Sequence, residues 1–241
     1  IRRLAAALRA FQPDVAHTHL LHADLYGIPA ARLAGVPVVI TSRHNDDAFR
    51  YRLPVRLVNR ALWRGVDSAV TISDALTRFT IEVEGAPPNK VRRIYYGLDT
   101  AVPPLERAAA RHSLLAELHL PSNAVLLGLV CRLVEQKGVT YAIEAFRQVA
   151  TEFPNAVLLI TGDGPLGEAL QAQAAPLGDR VRFLGWRPDT TSLFAALDIF
   201  LAPSLWEGFG LVLLEAMAQQ TPIIGSAVSA IPEVIADGET G

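Results

Sequence analysis

The chain has 241 residues, of which 51% are hydrophobic and 19% charged, a composition typical of a folded globular protein. Its formal net charge of −2 gives no general attraction to nucleic acid, so no nucleic-acid partner is expected. The apolar run at residues 124–131 is far shorter than the ~20 residues that a membrane span needs. The one cysteine, Cys131, forms no internal disulfide and fits a reducing, cytoplasmic compartment.

In chain order, the first half alternates segments of helical period with short apolar strands. Leu4, Leu8 and Phe11 share one face of the first helix. Ser73 or Asp74 is expected to cap a later helix. The predicted helices are residues 1–11, 23–34, 53–64 and 74–84, and the predicted strands are residues 14–19, 36–41, 68–73 and 91–96.

The same alternation restarts after a proline-bearing connector near residue 103. Here the predicted strands are residues 124–131, 156–161, 181–184, 199–202 and 222–225, and the helices lie near 138–153, 166–177, 190–197 and 209–219. Strands that are apolar throughout indicate parallel sheets covered on both faces. The sequence therefore predicts an α/β fold with two Rossmann-like, doubly wound parallel-sheet domains, at residues 1–103 and 104–241. Both look incomplete, so we expect a fragment that lacks both termini and has little or no activity by itself.

Polar side chains and glycines collect where the predicted strands end. Ligands bind beyond the carboxyl ends of open parallel sheets, so two such rims predict a site in a cleft between the domains. The residues concerned are His17, His19, Arg43, His44 and Asn45 in the first half, and Arg132, Lys137, 162–165, Gly185, Trp186 and 203–210 in the second.

Arg132 and Lys137 flank the start of the helix predicted near residue 138. Two cations beside a helix N-terminus form a receptacle for phosphate. The alternative is a surface pair that only solvates a loop.

Glu207 and Glu215 form the most informative pair of carboxylates. Glu207 precedes a predicted helix, where exposed N–H groups favour a negative charge. Glu215 lies within an apolar helix, so its carboxylate needs hydrogen-bond donors. The two hydroxyls of a nucleotide ribose would supply them; pairing with an arginine is the alternative.

Five ordered motifs in the second half resemble the signature of one enzyme family. They are residues 132–138 (RLVEQKG), 162–166 (GDGPL), 183–185 (FLG), 203–218 (PSLWEGFGLVLLEAMA) and 222–226 (PIIGS) with 231–234 (IPEV). The chain is similar to the retaining glycosyltransferases of GT-B fold with an E-x7-E pair, known as group 1 or family 4, which include bacterial lipopolysaccharide-core and phosphoinositol-mannosyl transferases. Weaker likeness at residues 17–19, 71–73 and 96–99 extends the resemblance to the first half.

The resemblance implies transfer of a hexose from a nucleotide-diphosphate sugar to an acceptor, with retention of configuration. It implies an acceptor-side domain at 1–103, a donor-binding domain at 104–241, and UDP, GDP or ADP as the donor nucleotide. A glycan, a lipid or a small molecule would be the acceptor, as in the synthesis of cell-envelope polysaccharides. The residues to which it assigns catalysis are His19, Glu207, Arg132 and Lys137, and those that would bind the donor are Arg132, Lys137, Gly162, Gly185, Phe209, Gly210, Leu211 and Glu215.

No metal or other cofactor is expected, because the cations Arg132 and Lys137 and a helix N-terminus would stabilise the leaving diphosphate. The Asp-x-Asp element of metal-dependent transferases is absent, since Asp46 and Asp47 are adjacent. The chain departs from the family at Cys131 and at Ser229–Ala230, where glycines are common. We expect the added side chains to narrow or alter the donor pocket.

A basic stripe occurs on the helix predicted at residues 53–64. Arg52, Arg56, Arg60 and Arg64 recur every fourth residue, and Arg43 and Arg50 precede them. Like charges at this spacing repel by about 0.2–0.5 kcal/mol per pair. One hypothesis is contact with an anionic membrane surface or with a phosphorylated lipid acceptor. Contact with the membrane would place the protein at its inner face. A solvated helix face is the alternative.

Three other functions fit the sequence less well. A sugar-nucleotide epimerase would need its own acid and base residues, and the E-x7-E pair argues against it. A dinucleotide oxidoreductase is the weaker alternative of these two. A degenerate sugar-nucleotide-binding or partner subunit without turnover is disfavoured by the intact site residues, while Cys131 and Ser229–Ala230 keep it open.

Overall fold

The structure is a computed structural model that describes residues 1–99 and 104–241. The chain forms two compact units, Ile1–Tyr96 and Gly97–Gly241. The domain boundary is predicted after residue 103, which lies outside the described residues. In the described part of the chain, no helix combines the length and apolar character that crossing a bilayer requires.

The first unit holds a parallel sheet with the strand order β1-β2-β3-β4. Its core packs Val39 and Ala69 of the sheet against Ile28 and Trp63. The strands are β1 (Val15–His19), β2 (Val38–Arg43), β3 (Ser68–Thr71) and β4 (Val91–Arg93), and the helices are α1 (Arg2–Phe11), α2 (Leu20–Ala34), α3 (Leu53–Leu62) and α4 (Asp74–Glu82).

All four predicted strands of this unit differ from the observed bounds, and β2 and β4 differ most, each for a local reason. Strand β2 begins at Val38 instead of residue 36, because the Val36 amide still bonds to Ala31 at the end of α2 and Pro37 has no N–H. Strand β4 ends at Arg93 instead of residue 96, because its neighbour β3 ends at Thr71. The predicted cap of α4 is Ser73, whose Oγ accepts from the Leu76 amide at 3.1 Å.

The second unit holds a five-stranded parallel sheet with the order β7-β6-β5-β8-β9. The order reverses between β5 and β8, which makes this junction the topological switch point where ligands bind in such sheets. The strands are β5 (Val125–Val130), β6 (Ala156–Thr161), β7 (Val181–Gly185), β8 (Ile199–Ala202) and β9 (Ile223–Gly225), and the helices are α5 (Arg107–Glu117), α6 (Val139–Glu152), α7 (Gly167–Ala174), α8 (Thr190–Ala196), α9 (Leu211–Ala218) and α10 (Ile231–Val234).

Helices cover both faces of this second sheet. Residues of α6 and α7 pack on one face, and residues of α5, α8, α9 and α10 pack on the other. The predicted α/β class with parallel sheets is confirmed. Helix α5 is not predicted by the sequence pattern. Its start depends on a polar cap, since the Glu106 carboxylate accepts from the amides of Ala108 at 3.1 Å and Ala109 at 2.6 Å.

A buried charge network lies inside the first unit. The Arg43 guanidinium bonds to Asp24 at 2.5 Å and to Glu84 at 2.6 Å, and Arg50 also pairs with Glu84. All four side chains are almost completely inaccessible to solvent. The prediction that Arg43 belongs to the polar rim, and the grouping of Arg50 with the basic surface stripe, are therefore wrong. Both guanidinium groups serve instead as partners of buried carboxylates, which need such partners to remain charged.

Candidate functional site

The loops that follow β5 and β8 are joined across the switch point of the second sheet. The Leu205 amide donates to the Gln136 carbonyl at 2.8 Å, and the Gln136 side-chain amide donates to the Trp206 carbonyl at 3.0 Å. Gln136 is buried, so this connection is shielded from water. The two segments that carry Lys137 and Glu207 are thus held side by side.

Lys137 and Glu207 form an ion pair at this junction. Their Nζ and Oε2 atoms are 2.5 Å apart, and their side chains are only 18% and 13% exposed. The Ser204 hydroxyl lies 3.5 Å from the same carboxylate oxygen. The sequence placed both residues at the site but gave no sign that they pair. Because an ammonium has three donors, Lys137 keeps donors for another acceptor.

Two glycines allow the loops of the site to approach each other closely. At Gly138 the backbone has φ 62°, and a Cβ there would lie 1.9 Å from the Pro203 carbonyl oxygen. At Gly162 φ is 126°, and a Cβ would lie 1.9 Å from the Cys131 carbonyl oxygen. Both positions therefore require glycine for conformation and for space.

An open cavity of about 540 Å³ lies at the carboxyl ends of β5, β6 and β7. Three of the predicted donor-binding residues, Arg132, Gly162 and Glu215, line it. The pKa of Glu215 is raised because the carboxylate is partly buried. Among the described residues, no side chain forms an ion pair or a hydrogen bond with Arg132 or Glu215. The alternative interpretation of Glu215, as the partner of an arginine, is therefore not what the structure shows.

The other predicted donor-binding residues lie around this cavity. Gly185 ends β7, and its carbonyl accepts from the Gly162 amide at 2.8 Å. Phe209 is buried, and Gly210, with φ 87°, is the N-cap of α9. Leu211 is the first residue of that helix, and its side chain is exposed. Helix α9 thus begins at these residues and carries Glu215 one turn further along.

Cys131, Trp186 and Arg187 also line the cavity. Burial raises the pKa of the Cys131 thiol to about 11, so the side chain is neutral at physiological pH. The Arg187 guanidinium is held by Asp189 at 2.7 Å and by Glu117 of α5. Trp186, by contrast, is 74% exposed. Trp186 belongs to the polar rim predicted from the sequence, whereas Arg187 was not predicted, although it lies just after a strand end.

The departure at Ser229–Ala230 lies beside Glu207. The Ala230 amide donates to the Glu207 carbonyl at 3.2 Å. Ser229 has φ 47°, a conformation that favours glycine, so a residue with a side chain at this position has a strained backbone.

In the first unit, His19 belongs to a hydrogen-bonded row of aromatic side chains. Its Nδ1 lies 2.9 Å from Nε2 of His44, whose Nδ1 lies 2.5 Å from the Tyr96 hydroxyl. His17 bonds to the Ser42 hydroxyl at 2.7 Å. The pKa of His17 is lowered by burial and by the nearby His19.

The basic stripe is less regular than the sequence suggested. Arg52 and Arg60 are exposed on and beside α3, whereas Arg56 donates to the Val83 carbonyl at 3.1 Å. Arg64 lies in the 3-10 turn that follows the helix. Leu53 and Leu57 of the same helix are 65% and 55% exposed.

In the residues that the structure describes, no group of three or more His, Cys, Asp or Glu side chains is arranged to hold a metal ion.

Sequence comparisons identify the family. The sequence model described as "Glycosyltransferase Family 4" matches residues 1–102, and the model described as "Glycosyl transferases group 1" matches residues 124–241. The chain therefore belongs to the group 1 and family 4 glycosyltransferases.

Individual relatives agree with this assignment. The chain is 28% identical to alpha-maltose-1-phosphate synthase of Mycolicibacterium smegmatis, over 94% of this chain and 63% of the relative. It is 31% identical to the UDP-Gal:alpha-D-GlcNAc-diphosphoundecaprenol alpha-1,3-galactosyltransferase of Escherichia coli, over 90% of this chain and 58% of the relative. The chain thus spans roughly three fifths of the length of these relatives.

Solved structures show the same fold. Anabaena HepE in complex with UDP and glucose superposes with a TM-score of 0.85 at 24% identity, covering 97% of this chain and 65% of HepE. Sucrose-phosphate synthase of Thermosynechococcus elongatus superposes with a TM-score of 0.74 at 24% identity, covering 95% of this chain and 61% of that enzyme. The two parallel-sheet units are those of a GT-B glycosyltransferase with Rossmann-like domains.

Proposed function

We propose that the protein transfers a hexose from a nucleotide-diphosphate sugar to an acceptor, with retention of configuration and without a metal ion. One observation carries the proposal: Arg132 and the half-buried Glu215, neither paired with another described side chain, line one cavity beside the switch point of the second sheet. An unpaired cation and an unpaired carboxylate suit a ligand that has both anionic groups and hydroxyl donors. A nucleoside diphosphate has both.

Glu215 is proposed to bind the ribose of the donor. Burial disfavours its charged form, as the raised pKa indicates, and the protein supplies no described donor in compensation. Two ribose hydroxyls would supply hydrogen bonds to the carboxylate, which are stronger than bonds between neutral groups. In the free nucleotide, the same hydroxyls donate only to water.

Arg132, Lys137 and the N-terminus of α9 are proposed to hold the diphosphate. As the bond between the anomeric carbon and the leaving oxygen breaks, negative charge grows on the diphosphate. Fixed positive groups stabilise that charge without reorganisation. This provides the electrostatic stabilisation that a metal ion gives in other transferases.

Glu207 is proposed to position Lys137 and to support positive charge that develops on the donor sugar. Its carboxylate oxygen is bound by the Lys137 ammonium at 2.5 Å, and that bond lowers its nucleophilicity. An electrostatic role therefore fits the geometry better than covalent attack. Glu207→Gln should retain nucleotide binding while lowering the transfer rate of the complete enzyme.

UDP is the first donor nucleotide to test, and GDP and ADP follow. Anabaena HepE has been crystallised with UDP and with UDP-glucose, and the Escherichia coli relative is named for a UDP-galactose donor. That relative is also named for a diphosphoundecaprenol-linked acceptor, which supports a lipid-linked glycan and a role in cell-envelope polysaccharide synthesis as the acceptor hypothesis.

The test is thermal unfolding of the protein with UDP, GDP, ADP or NAD, each in the presence of EDTA. A ligand at 100 times its Kd adds about 2.7 kcal/mol to the free energy of unfolding. For a chain of this size, that corresponds to a rise in Tm of roughly 5–10 °C. One nucleoside diphosphate should raise Tm, and NAD should not.

Two variants locate the binding. Arg132→Ala and Glu215→Gln should each weaken binding by about 10-fold or more, because each removes a hydrogen bond to a charged group. The matched controls are Arg147→Ala and Glu168→Gln, on the exposed faces of α6 and α7. If UDP, GDP and ADP all leave Tm unchanged, or if Arg132→Ala binds as tightly as the original protein, the proposed site is wrong.

Contact with an anionic membrane surface is a second proposal, for α3. Exposed Leu53 and Leu57 lie beside Arg52 and Arg60, so the helix offers apolar side chains together with positive charge. This combination is typical of helices that lie in the headgroup region of a bilayer. It would place the protein at the inner face of the membrane.

A further inference from the structure

The row His19, His44 and Tyr96 forms a continuous hydrogen-bonded path within the first unit. The rings of His19 and His44 are stacked with centroids 5.2 Å apart, and those of His44 and Tyr96 are stacked at 6.0 Å. Both nitrogens of His44 are used, one by each neighbour. His44 therefore connects Tyr96 to His19.

The chemistry of the end groups sets the direction of these hydrogen bonds. A phenol hydroxyl, with an ordinary pKa of ~10, is a good donor, and an imidazole nitrogen is a far better acceptor than a phenol oxygen. The pKa of Tyr96 is raised by burial, so its hydroxyl stays protonated. Tyr96 is thus expected to donate its proton to the bond with Nδ1 of His44.

The remaining protons follow from the single N–H of a neutral imidazole. His44 is held neutral, because burial and the neighbouring His19, His17 and Arg43 all lower its pKa. With Nδ1 accepting, its one N–H is on Nε2 and donates to Nδ1 of His19 at 2.9 Å. Because Nδ1 of His19 accepts this bond, the proton of the His19 ring is on Nε2.

The position of His19 makes that proton available. The side chain is exposed at the carboxyl end of β1, and within the described residues Nε2 has no hydrogen-bond partner. The next residue, Leu20, has φ 70°, a strained backbone conformation for a residue with a side chain. Its side chain is 44% exposed, so burial of Leu20 does not compensate for this strain. Such strain clusters at functional sites.

We propose that His44 and Tyr96 are positioning residues that hold His19 in the tautomer protonated on Nε2, so that His19 offers a hydrogen-bond donor, and not a general base, to a substrate oxygen. The role toward substrate rests on the proposed function, whereas the tautomer itself does not. A sugar hydroxyl or another neutral or anionic oxygen is the class of acceptor that this N–H fits.

The test is long-range ¹H–¹⁵N NMR of the uniformly ¹⁵N-labelled chain at neutral pH, which distinguishes a protonated from an unprotonated ring nitrogen. His19→Gln assigns the His19 signals by their loss. The expected result is a single His19 tautomer with the proton on Nε2. In Tyr96→Phe the donor is removed without removing the ring, and the His19 signals should move toward a mixture of tautomers.

Tyr95→Phe is the matched control, because it removes a neighbouring hydroxyl that donates to Asp74 at 3.2 Å. It should leave the His19 signals unchanged, and a purely structural effect of losing a hydroxyl would appear in both variants alike. Protonation of His19 on Nδ1 in the original protein, or an unchanged single tautomer in Tyr96→Phe, would overturn the proposal. Nucleotide binding is measured separately, so either proposal can fail without the other.

Discussion

The two glutamates of the E-x7-E pair have different surroundings although one short segment carries both. Glu207 is bound by Lys137 from the neighbouring loop, whereas Glu215 faces the cavity with no partner among the described side chains. The spacing in the sequence places both near the switch point. Only the packing of the β5 and β8 loops decides which of them is neutralised by the protein and which is left for a ligand.

Glu215→Gln should stabilise the ligand-free protein at neutral pH. The folded state raises the pKa of Glu215, so folding favours the protonated carboxyl group. The stability that this neutral form provides is present below the ordinary carboxyl pKa and is lost as the pH rises through the raised pKa. Below the ordinary carboxyl pKa, the variant and the original protein should unfold at the same Tm.

The measurement is Tm from acid to neutral pH without ligand, with Glu168→Gln on α7 as the exposed control. The Glu215→Gln advantage should appear only above the ordinary pKa of a carboxyl group. An equal difference at every pH would mean that the effect is one of packing and not of charge.

At the scale of single elements, α3 shows how far a repeat of arginines can be interpreted. The four-residue spacing correctly predicts a helix, and Arg52 and Arg60 lie exposed as expected. Arg56 instead donates to the Val83 carbonyl, and Arg64 lies in the 3-10 turn after the helix. The exposed part of this helix therefore combines Arg52 and Arg60 with Leu53 and Leu57.

Co-sedimentation with liposomes tests the membrane proposal for this helix. Binding to vesicles with anionic lipid should exceed binding to neutral vesicles, and Leu57→Gln should reduce it because less apolar area is buried in the interface. Leu33→Gln, which changes an exposed leucine of α2, is the control. Equal sedimentation with both kinds of vesicle would leave α3 a solvated helix face.

At the scale of the whole molecule, the first unit depends on charges that no local pattern reveals. Asp24 comes from α2, Arg43 from β2, Arg50 from the turn before α3, and Glu84 from the segment after α4. The Arg43 guanidinium also lies over the Trp63 ring, 5.0 Å from its centroid. Four separate parts of the chain thus meet in one water-excluded network.

Glu84→Gln should destabilise the first unit by about 3–5 kcal/mol, because it leaves two buried guanidinium groups without their shared carboxylate. Hydrogen exchange of the β2 amides reports on this unit directly. Glu82→Gln, at an exposed position at the end of α4, should change their protection little. If the β2 amides keep their protection in Glu84→Gln, the network contributes less than its burial implies.

The sequence by itself determined the α/β class, nearly every strand, and the residues that meet at the carboxyl ends of the second sheet, because apolar runs and strand-end glycines are local signals. It also indicated Arg132 and Glu215, which share a cavity in the folded chain. It could not show that Lys137 pairs with Glu207, that Arg43 and Arg50 are buried, or that His44 connects His19 to Tyr96. Each of these depends on side chains from segments that are distant in the sequence. Only the tertiary structure, by removing water and bringing them within hydrogen-bond distance, decides which charges are paired and which remain for a ligand.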